Sequence, residues 1–579
     1  MPDLTATLGY TLRRFWPALR PDRGRVALAF GAALLASGLS VAAPLPVKAI
    51  IDEVLQGQRP AWLASLPLEQ PMSLEQAVLA LAGLAALLAG LAAVLSALEK
   101  TISARLRERM TLALRLTCLD QLMRLTPLCR SADRSGELGL RLVDDVQQVA
   151  RLFTKTMPVM VRHGLNLIFA LAALSWISPL LGGGATAIAL MLAIMVRFAA
   201  RPLRRTAKAK RAHEGRVAGL AQELLRSLSF IQASGAESEI RARFADANRG
   251  SLGAGVAETR AAVRLERTMQ IANGLAVALV VGGGGWMALR GAVTAGDIAV
   301  AVLYLNQMLR PLEKINELAS AVSGATSRGA RLAELLDRDE ALDRSGAWTT
   351  ERATGHIVLA DPGFAYDGEP GFAFVQIAIP AGTLVSVEGP SGSGKSTLIA
   401  LLTRLFDPHS GMILLDGVAY RDWNLTSLRQ QFALSPQAPP LMAGTVGDWL
   451  RLGGISASDA QLWAALKAVS LDTIVTARGG LEAALGEGGA GFSGGEQSRL
   501  ALARALAADR PVLLLDEPFA NVDPVSARVM LRALEGQKGR RTVVVVTHQP
   551  LPAGMASLRL RMANRQLSVL AEASLAGAA

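Results

Sequence analysis

Only two cysteines occur in the 579 residues, Cys118 and Cys129, and their spacing fits no common metal site. Histidine is scarce as well, five scattered copies, so neither a disulfide framework nor a structural metal is expected. Charge is missing from long stretches of the first 330 residues: Val26–Val47, Gln76–Leu98, His163–Val196 and Met269–Leu289 hold no Asp, Glu, Lys or Arg. Crossing a bilayer core takes about 20 apolar residues, which these stretches supply. That excludes an ordinary soluble enzyme. The 34-residue stretch from His163 has room for two spans, turning at Ser178–Pro179 and Gly182–Gly184. Ile298–Leu309 is the sixth span and the least apolar. It is counted because an odd number of spans would strand one flanking loop on the wrong side. No signal peptide is expected, since about 25 largely polar and basic residues precede the first apolar run.

The charges that are present are sorted. Arg13, Arg14, Arg20, Arg23 and Arg25 precede the first span, and fifteen Lys/Arg lie between Arg197 and Arg267. Between the first two spans only Lys48 and Arg59 are basic, against Asp52, Glu53, Glu69 and Glu75. The positive-inside rule places the N-terminus, the long connections and the C-terminal third in the cytoplasm of a multi-pass inner-membrane protein. Cys118 and Cys129 then fall on the reducing side. A net charge of +12 also fits a nucleic-acid binder. Here the basic residues flank membrane spans, so anionic lipid headgroups are the expected partner and nucleic acid is not.

Residues 99–162 and 197–268 are charged and nearly free of helix-breaking punctuation, so they read as membrane helices continuing into the cytoplasm. They break near Leu125–Pro127 to Arg134–Gly136 and near Ser227–Gly235, two turns suited to contacting a domain beneath them. Leu336–His356 reads as a charged linker.

The chemistry lies beyond it. Residues 389–397 are Gly-Pro-Ser-Gly-Ser-Gly-Lys-Ser-Thr, a full G-x-x-x-x-G-K-[ST] pattern between the apolar run Leu384–Val387 and a second apolar run from Leu398. Strand, glycine loop and helix in that order make a phosphate cradle. Backbone N–H groups close on the α/β-phosphates, Lys395 reaches the β/γ oxygens and the Ser396 hydroxyl ligates Mg²⁺. A second apolar strand, Val512–Leu515, ends in Asp516-Glu517-Pro518, and a third, Val543–Thr547, ends at His548. A carboxylate at a strand tip can hold Mg²⁺ while its neighbour polarises water. Between them stand Gln437 and Phe492-Ser493-Gly494-Gly495-Glu496-Gln497, whose Ser-Gly-Gly opens another apolar helix. One ATP needs one N–H-rich cradle. Two imply that nucleotide is sandwiched between two copies.

Together these motifs resemble an ATP-binding cassette (ABC) transporter of the exporter type, over about residues 20–560. The resemblance implies a multidomain half-transporter. An all-α transmembrane domain of six helices (1–335) and the linker (336–356) precede an α/β P-loop nucleotide-binding domain (357–579). Ser135-Gly136-Glu137-Leu138 with Arg141 and Asp144-Asp145-Val146 resembles the family's first coupling region, and Glu237–Phe244 the second. By the same resemblance Tyr366 stacks on adenine, and Gly389, Ser391, Gly392, Gly394, Lys395, Ser396 and Thr397 hold the phosphates. Ser396, Gln437 and Asp516 serve Mg²⁺, Glu517 is the general base, and His548 touches the γ-phosphate. Ser493, Gly494 and Gly495 bind ATP on the opposite subunit, and Asp523 communicates across the dimer or simply caps a helix. Phe492, Glu496 and Gln497 depart from the usual leucine, glutamine and basic residue, and Arg559–Val569 only loosely forms the expected last strand. None removes a catalytic group.

The expected activity is ATP-driven export of an amphipathic or hydrophobic substrate by a homodimer through alternating access. An ATP-gated channel or membrane sensor is the alternative. The spans carry few aromatics, and Asn166, Gln270, Asn273, Asn306 and Gln307 are their polar residues, lining a path or linking helices. Helical spacing places Asn306 toward the path.

Overall fold

A computed structural model describes residues 4–60, 62, 72–126, 135–338, 342, 345–365, 371–374, 376–520 and 522–570. The chain forms two compact units, Met1–Leu122 with Arg134–Arg338, and Met123–Asp133 with Asp339–Ala579.

The first unit is helical. An interfacial helix α1 (Leu4–Phe15) passes through the 3-10 segment Trp16–Asp22 into α2 (Arg23–Ala42), and α3 (Leu45–Asp52) follows. Then come α4 (Leu74–Arg124) and α5 (Leu138–Ile177), the latter loosened by π-turns at Arg141–Asp145 and Leu152–Thr156. The last four are α6 (Pro179–Arg226), α7 (Leu228–Ala233), α8 (Glu237–Ala288) and α9 (Ala295–Leu336). Among the described residues five segments are long and apolar enough to cross a membrane, and α9, the sixth long helix, is not one of them. At 1.5 Å per residue α6 is about 72 Å long against about 30 Å of hydrocarbon. Its charged half therefore extends beyond the bilayer, held to α8 by Lys210 and Glu258 at 2.9 Å.

One expectation changes. The turn after α5 is at Ser178 alone, where the backbone becomes extended and the hydroxyl caps α6 through Leu181 N. Gly182–Gly184 lie inside α6. Gly182 packs so closely on Ser175 across the turn that a Cβ there would clash with it. The break expected near Ser227–Gly235 is built by α7, and Glu237–Phe244 forms the opening turns of α8. Residues 127–134 of the first turn lie outside the described residues. Beside it, Asp145 is buried and bidentate to Arg331 of α9 (2.7 and 3.1 Å), and Asp144 faces Arg328 at 3.2 Å.

In the bundle centre, Val41, Ala170, Leu174, Leu192, Ala276, Val300 and Leu305 share one apolar core. Pro44 has no N–H to return to the Ser40 carbonyl, and Gln307 donates its amide there at 3.2 Å. The Tyr304 hydroxyl donates to the adjacent Val41 carbonyl at 2.6 Å. The proline break of span one is thus repaired from span six. Asn306 is exposed and, among the described residues, bonds its own helix at Val302 O.

The second unit is a sheet with helices on it. β1 (Ile357–Phe364), β2 (Phe372–Phe374) and β3 (Ile377–Ile379) precede β4 (Leu384–Glu388) and α10 (Lys395–Leu402). β5 (Ser410–Leu415) and β6 (Phe432–Ser435) follow, then α11 (Gly494–Ala507), β7 (Val512–Asp516), α12 (Pro524–Glu535) and β8 (Thr542–Thr547). Strands β6, β7, β8 and β4 run parallel in that order, covered on both faces, which is why apolar residues dominate them. The loosely expected final strand is a hairpin, β9 (Leu558–Ala563) and β10 (Gln566–Val569). Within the stretch read as linker, Trp348 pairs with Trp423, and the N–H groups of Gly355 and His356 donate to Asp416 (3.1 and 2.9 Å). Residues 348–356 are therefore packed on the sheet unit.

Tyr304→Phe and Gln307→Leu each strand a carbonyl in an apolar core. Each is expected to cost about 1–3 kcal/mol, read as a lower thermal midpoint of the detergent-solubilised protein. Unchanged midpoints would show that span six does not repair the break.

Candidate active site

The carboxyl ends of the parallel strands converge on one point. Between β4 and α10 the glycine loop turns over the sheet. Gly394 sits at φ +108, and a Cβ there would run into the Phe372 ring, while one on Gly389 would strike the Met562 carbonyl. Only glycine fits either place, and the loop's N–H groups face outward at the start of α10.

Lys395 is buried, and its Nζ donates to Gly389 O (2.9 Å) and Pro390 O (2.8 Å) and meets His548 Nδ1 at 3.3 Å. Burial pulls its pKa below the usual lysine range, opposed by the charges of Glu517 and Asp516. Asp516, the last residue of β7, is hydrogen-bonded by the Ser396 hydroxyl. Its pKa is raised, first by burial and next by the charge of Glu517.

Glu517 takes up φ +48, a left-handed conformation that costs a non-glycine residue about 1–3 kcal/mol. Its N–H is held by Val546 O of β8 at 2.8 Å, and the turn throws its carboxylate into the site. Gln437 Nε2 donates to one carboxylate oxygen at 2.8 Å, and His548 Nε2 pairs with the other. Gly389, Lys395, Ser396, Asp516, Glu517, Gln437 and His548 are thereby one connected constellation, drawn from four strand ends.

The remaining expected residues are not in it. Tyr366 lies outside the described residues. Asp523 caps α12, accepting from Val525 N (3.0 Å) and Ser526 N (2.9 Å). Ser493 caps α11 in a reciprocal box with Glu496, whose carboxylate takes Ser493 N at 2.8 Å. Among the described residues none of Ser493, Gly494 and Gly495 hydrogen-bonds to the constellation. The departures around them form a network of their own. Arg478 pairs with Glu496 at 3.1 Å and lies 4.2 Å over the Phe492 ring, and Gln497 donates to Phe492 O at 2.9 Å. Sequence reasoning missed Arg478, fifteen residues from the motif, and Ser393, a loop residue whose buried hydroxyl has no protein partner.

Residues 26–312 match the family described as ABC transporter transmembrane region, and 373–520 the family described as ABC transporter. The chain is 30% identical over 424 residues to the ATP-dependent lipid A-core flippase of Mannheimia succiniciproducens, covering 72% of each. It is 26% identical over 546 residues to an uncharacterized ABC transporter ATP-binding protein of Bacillus subtilis, covering 93% of this chain and 87% of the relative. Its fold matches that of a bacterial Atm1-family ABC exporter solved with ATP bound, at TM-score 0.77, 23% identity and 94% of both chains.

Because the folded protein raises the pKa of Asp516, it favours the protonated carboxyl. The penalty for ionisation is absent at low pH and complete once pH exceeds the raised value. Asp516→Asn should therefore raise the thermal midpoint of the nucleotide-free protein at neutral pH, with a gain that shrinks as pH falls. Equal midpoints across a pH series from 4 to 8 (roughly the carboxylate range and above) would refute the desolvation.

Proposed function

We propose, for a chain that belongs to the ABC transporter family as a half-transporter of the exporter type, that it is a homodimeric pump moving an amphipathic substrate across the cytoplasmic membrane by alternating access. It is a multi-pass membrane protein that binds ATP and couples its hydrolysis to transport. The observation that carries the catalytic assignment is the clamped carboxylate. Glu517 is fixed between Gln437 and His548 beside the phosphate loop, where it acts as general base on water attacking the γ-phosphate. Lys395 and the loop N–H groups hold the phosphates, and His548 and Gln437 align the reacting groups.

Magnesium fits the donors present. The Ser396 hydroxyl and the desolvated Asp516 carboxylate are hard oxygen ligands of the kind Mg²⁺ prefers. Those two residues would hold it, with Gln437 alongside, and when bound it would supply positive charge against the transferred phosphoryl group.

Ser493–Gly495 stand apart from the constellation in their own chain, and a partner's copy completes each site. Closure of two such sites biases the membrane helices through α7 and the turn before α5. Moving that equilibrium from 1:99 to 99:1 takes about 5.5 kcal/mol of differential binding, within reach of charge-assisted contacts at two sites.

For the substrate, a cavity of about 380 Å³ between the spans supports an amphipathic molecule with a hydrogen-bonding headgroup. Small residues (Ala36, Ala89, Ala93) surround Ser37, Arg162, Asn166 and Gln307. Among the described residues the oxygens Ser37 Oγ, Asn166 Oδ1 and Gln307 Oε1 are buried without hydrogen-bond partners, while Arg162 is paired with Glu99 at 3.1 Å. A lipid headgroup bearing hydroxyl or amine donors satisfies them. Several relatives are named as lipid A-core flippases, which favours a lipid over a peptide.

Glu517→Gln should lower ATPase about 10²–10⁴-fold while ATP binding persists, and should abolish ATP-dependent movement of a fluorescent lipid in proteoliposomes. Near wild-type hydrolysis would remove Glu517 from the chemistry, and lipid movement that only equilibrates the leaflets would mark a channel. In mixed dimers, Ser493→Ala on one protomer should cripple the site whose phosphate loop lies on the other. Loss confined to the mutated protomer's own loop would overturn the shared site.

A further inference from the structure

A second cavity lies beside the one just described, under the N-terminal helix α1. It encloses about 560 Å³, within the roughly 300–1,000 Å³ of small-ligand sites. Its floor is apolar: Ala29 and Ala33 of α2, Leu106 of α4, and Phe153 and Met157 of α5. One wall is Trp16, half exposed and tilted against Phe153 with ring centres 6.5 Å apart. Val26 begins the apolar run of α2, and Ala33 is seven residues deeper, about 10 Å along the helix. The slot therefore runs from the headgroup level into the acyl region, with a tryptophan at the boundary where that residue anchors.

Its rim carries two cations. Arg13 and Arg20 line the mouth, are exposed, and make no ion pair among the described residues. Arg14 is bound to Asp337 at 2.6 Å, Arg109 to Asp22 at 2.9 Å, and Arg25 also to Asp22. Arg23, like Arg13 and Arg20, makes no ion pair among the described residues, but of these three only Arg13 and Arg20 line the slot. An apolar slot of this depth below two uncompensated guanidinium groups complements one class of molecule: a glycerophospholipid with an anionic headgroup. Its acyl chain fills the slot and its phosphate meets the arginines.

We propose that this cavity binds an anionic phospholipid of the cytoplasmic leaflet and that its occupancy sets the basal ATPase rate. The link to the rate runs through α1. Its Tyr10 hydroxyl (3.1 Å) and Arg14 both hold Asp337, directly after the end of α9, and its Thr11 and Phe15 pack on Gly329 of that helix. A lipid wedged beneath α1 seats it against the end of the helix that leads to the nucleotide unit. The slot adjoins the 380 Å³ cavity along α2 and α5 but has its own lining, and the proposal stands whatever the substrate.

The full-length protein is reconstituted in nanodiscs of phosphatidylcholine alone or with increasing phosphatidylglycerol, and basal ATPase and lipid retained after detergent extraction (by native mass spectrometry) are both measured. Wild type should retain phosphatidylglycerol over phosphatidylcholine, and its ATPase should rise with the anionic fraction. Arg13→Gln with Arg20→Gln should weaken retention about tenfold and shift the activating fraction upward. Ala33→Phe, which fills the slot and keeps both arginines, should also abolish retention. Phosphatidylglycerol with brominated acyl chains should quench Trp16, measured as the difference between wild type and Trp16→Phe. Equal retention of both lipids by wild type, retention unchanged in both variants, or absence of Trp16 quenching would overturn the site. Retention without any ATPase response would overturn the regulatory half. Transport is not read out, so failure here leaves the exporter assignment intact, and the reverse also holds.

Discussion

A segment inside hydrocarbon must satisfy every backbone N–H and C=O from protein, because lipid offers neither donor nor acceptor. The whole membrane unit is organised by that requirement. It makes the spans helical, and it makes the proline break after α2 expensive unless another helix answers it. Gln307 and Tyr304 answer it, at Ser40 and Val41. The same two side chains therefore fix the rotation of α9 about its axis. Tyr304 is fully buried toward span one, Asn306 is exposed on the protomer's surface, and the amides of Asn166 and Gln307 border a common cavity.

In the nucleotide unit the corresponding constraint is a concentration of charge at strand ends. Buried parallel strands deliver Asp516, Glu517 and His548 to one edge, and the glycine loop delivers Lys395 to the same place. Burial and the charge of Glu517 raise the cost of ionising Asp516, and Lys395 offsets part of it while losing basicity to burial. Such a site is poised for a polyanion with a divalent cation. The strained turn at Glu517 belongs to the same arrangement, since it aims the carboxylate away from the strand it follows.

Much of this was legible beforehand, for identifiable reasons. The glycine loop could be read because Gly389 and Gly394 tolerate no Cβ, so sequence and backbone shape correspond residue by residue. The buried strands could be read because coverage on both faces demands uninterrupted apolar runs. The helix turn at Ser178–Pro179 was visible as a cap followed by proline, whereas Gly182–Gly184 misled: glycine there serves close packing on Ser175, a reason that resembles a turn in sequence. The hairpin at the end was obscured because Arg559 and Arg561 interrupt its hydrophobic pattern, and Arg559 is there to pair with Glu388 on β4 at 2.8 Å.

The sequence by itself determined five of the spans, the phosphate loop and the order of the motifs, because each depends on residues adjacent in the chain or on hydrophobicity summed along it. Only the tertiary structure decided which side chains meet. Arg478 reaching Glu496 and Phe492, Gln307 reaching Ser40, and Arg13 and Arg20 set over an apolar slot all depend on packing between distant segments. No local pattern encodes such partners, because hydrogen bonds and ion pairs form between whatever the folded backbone brings within about 3 Å of each other.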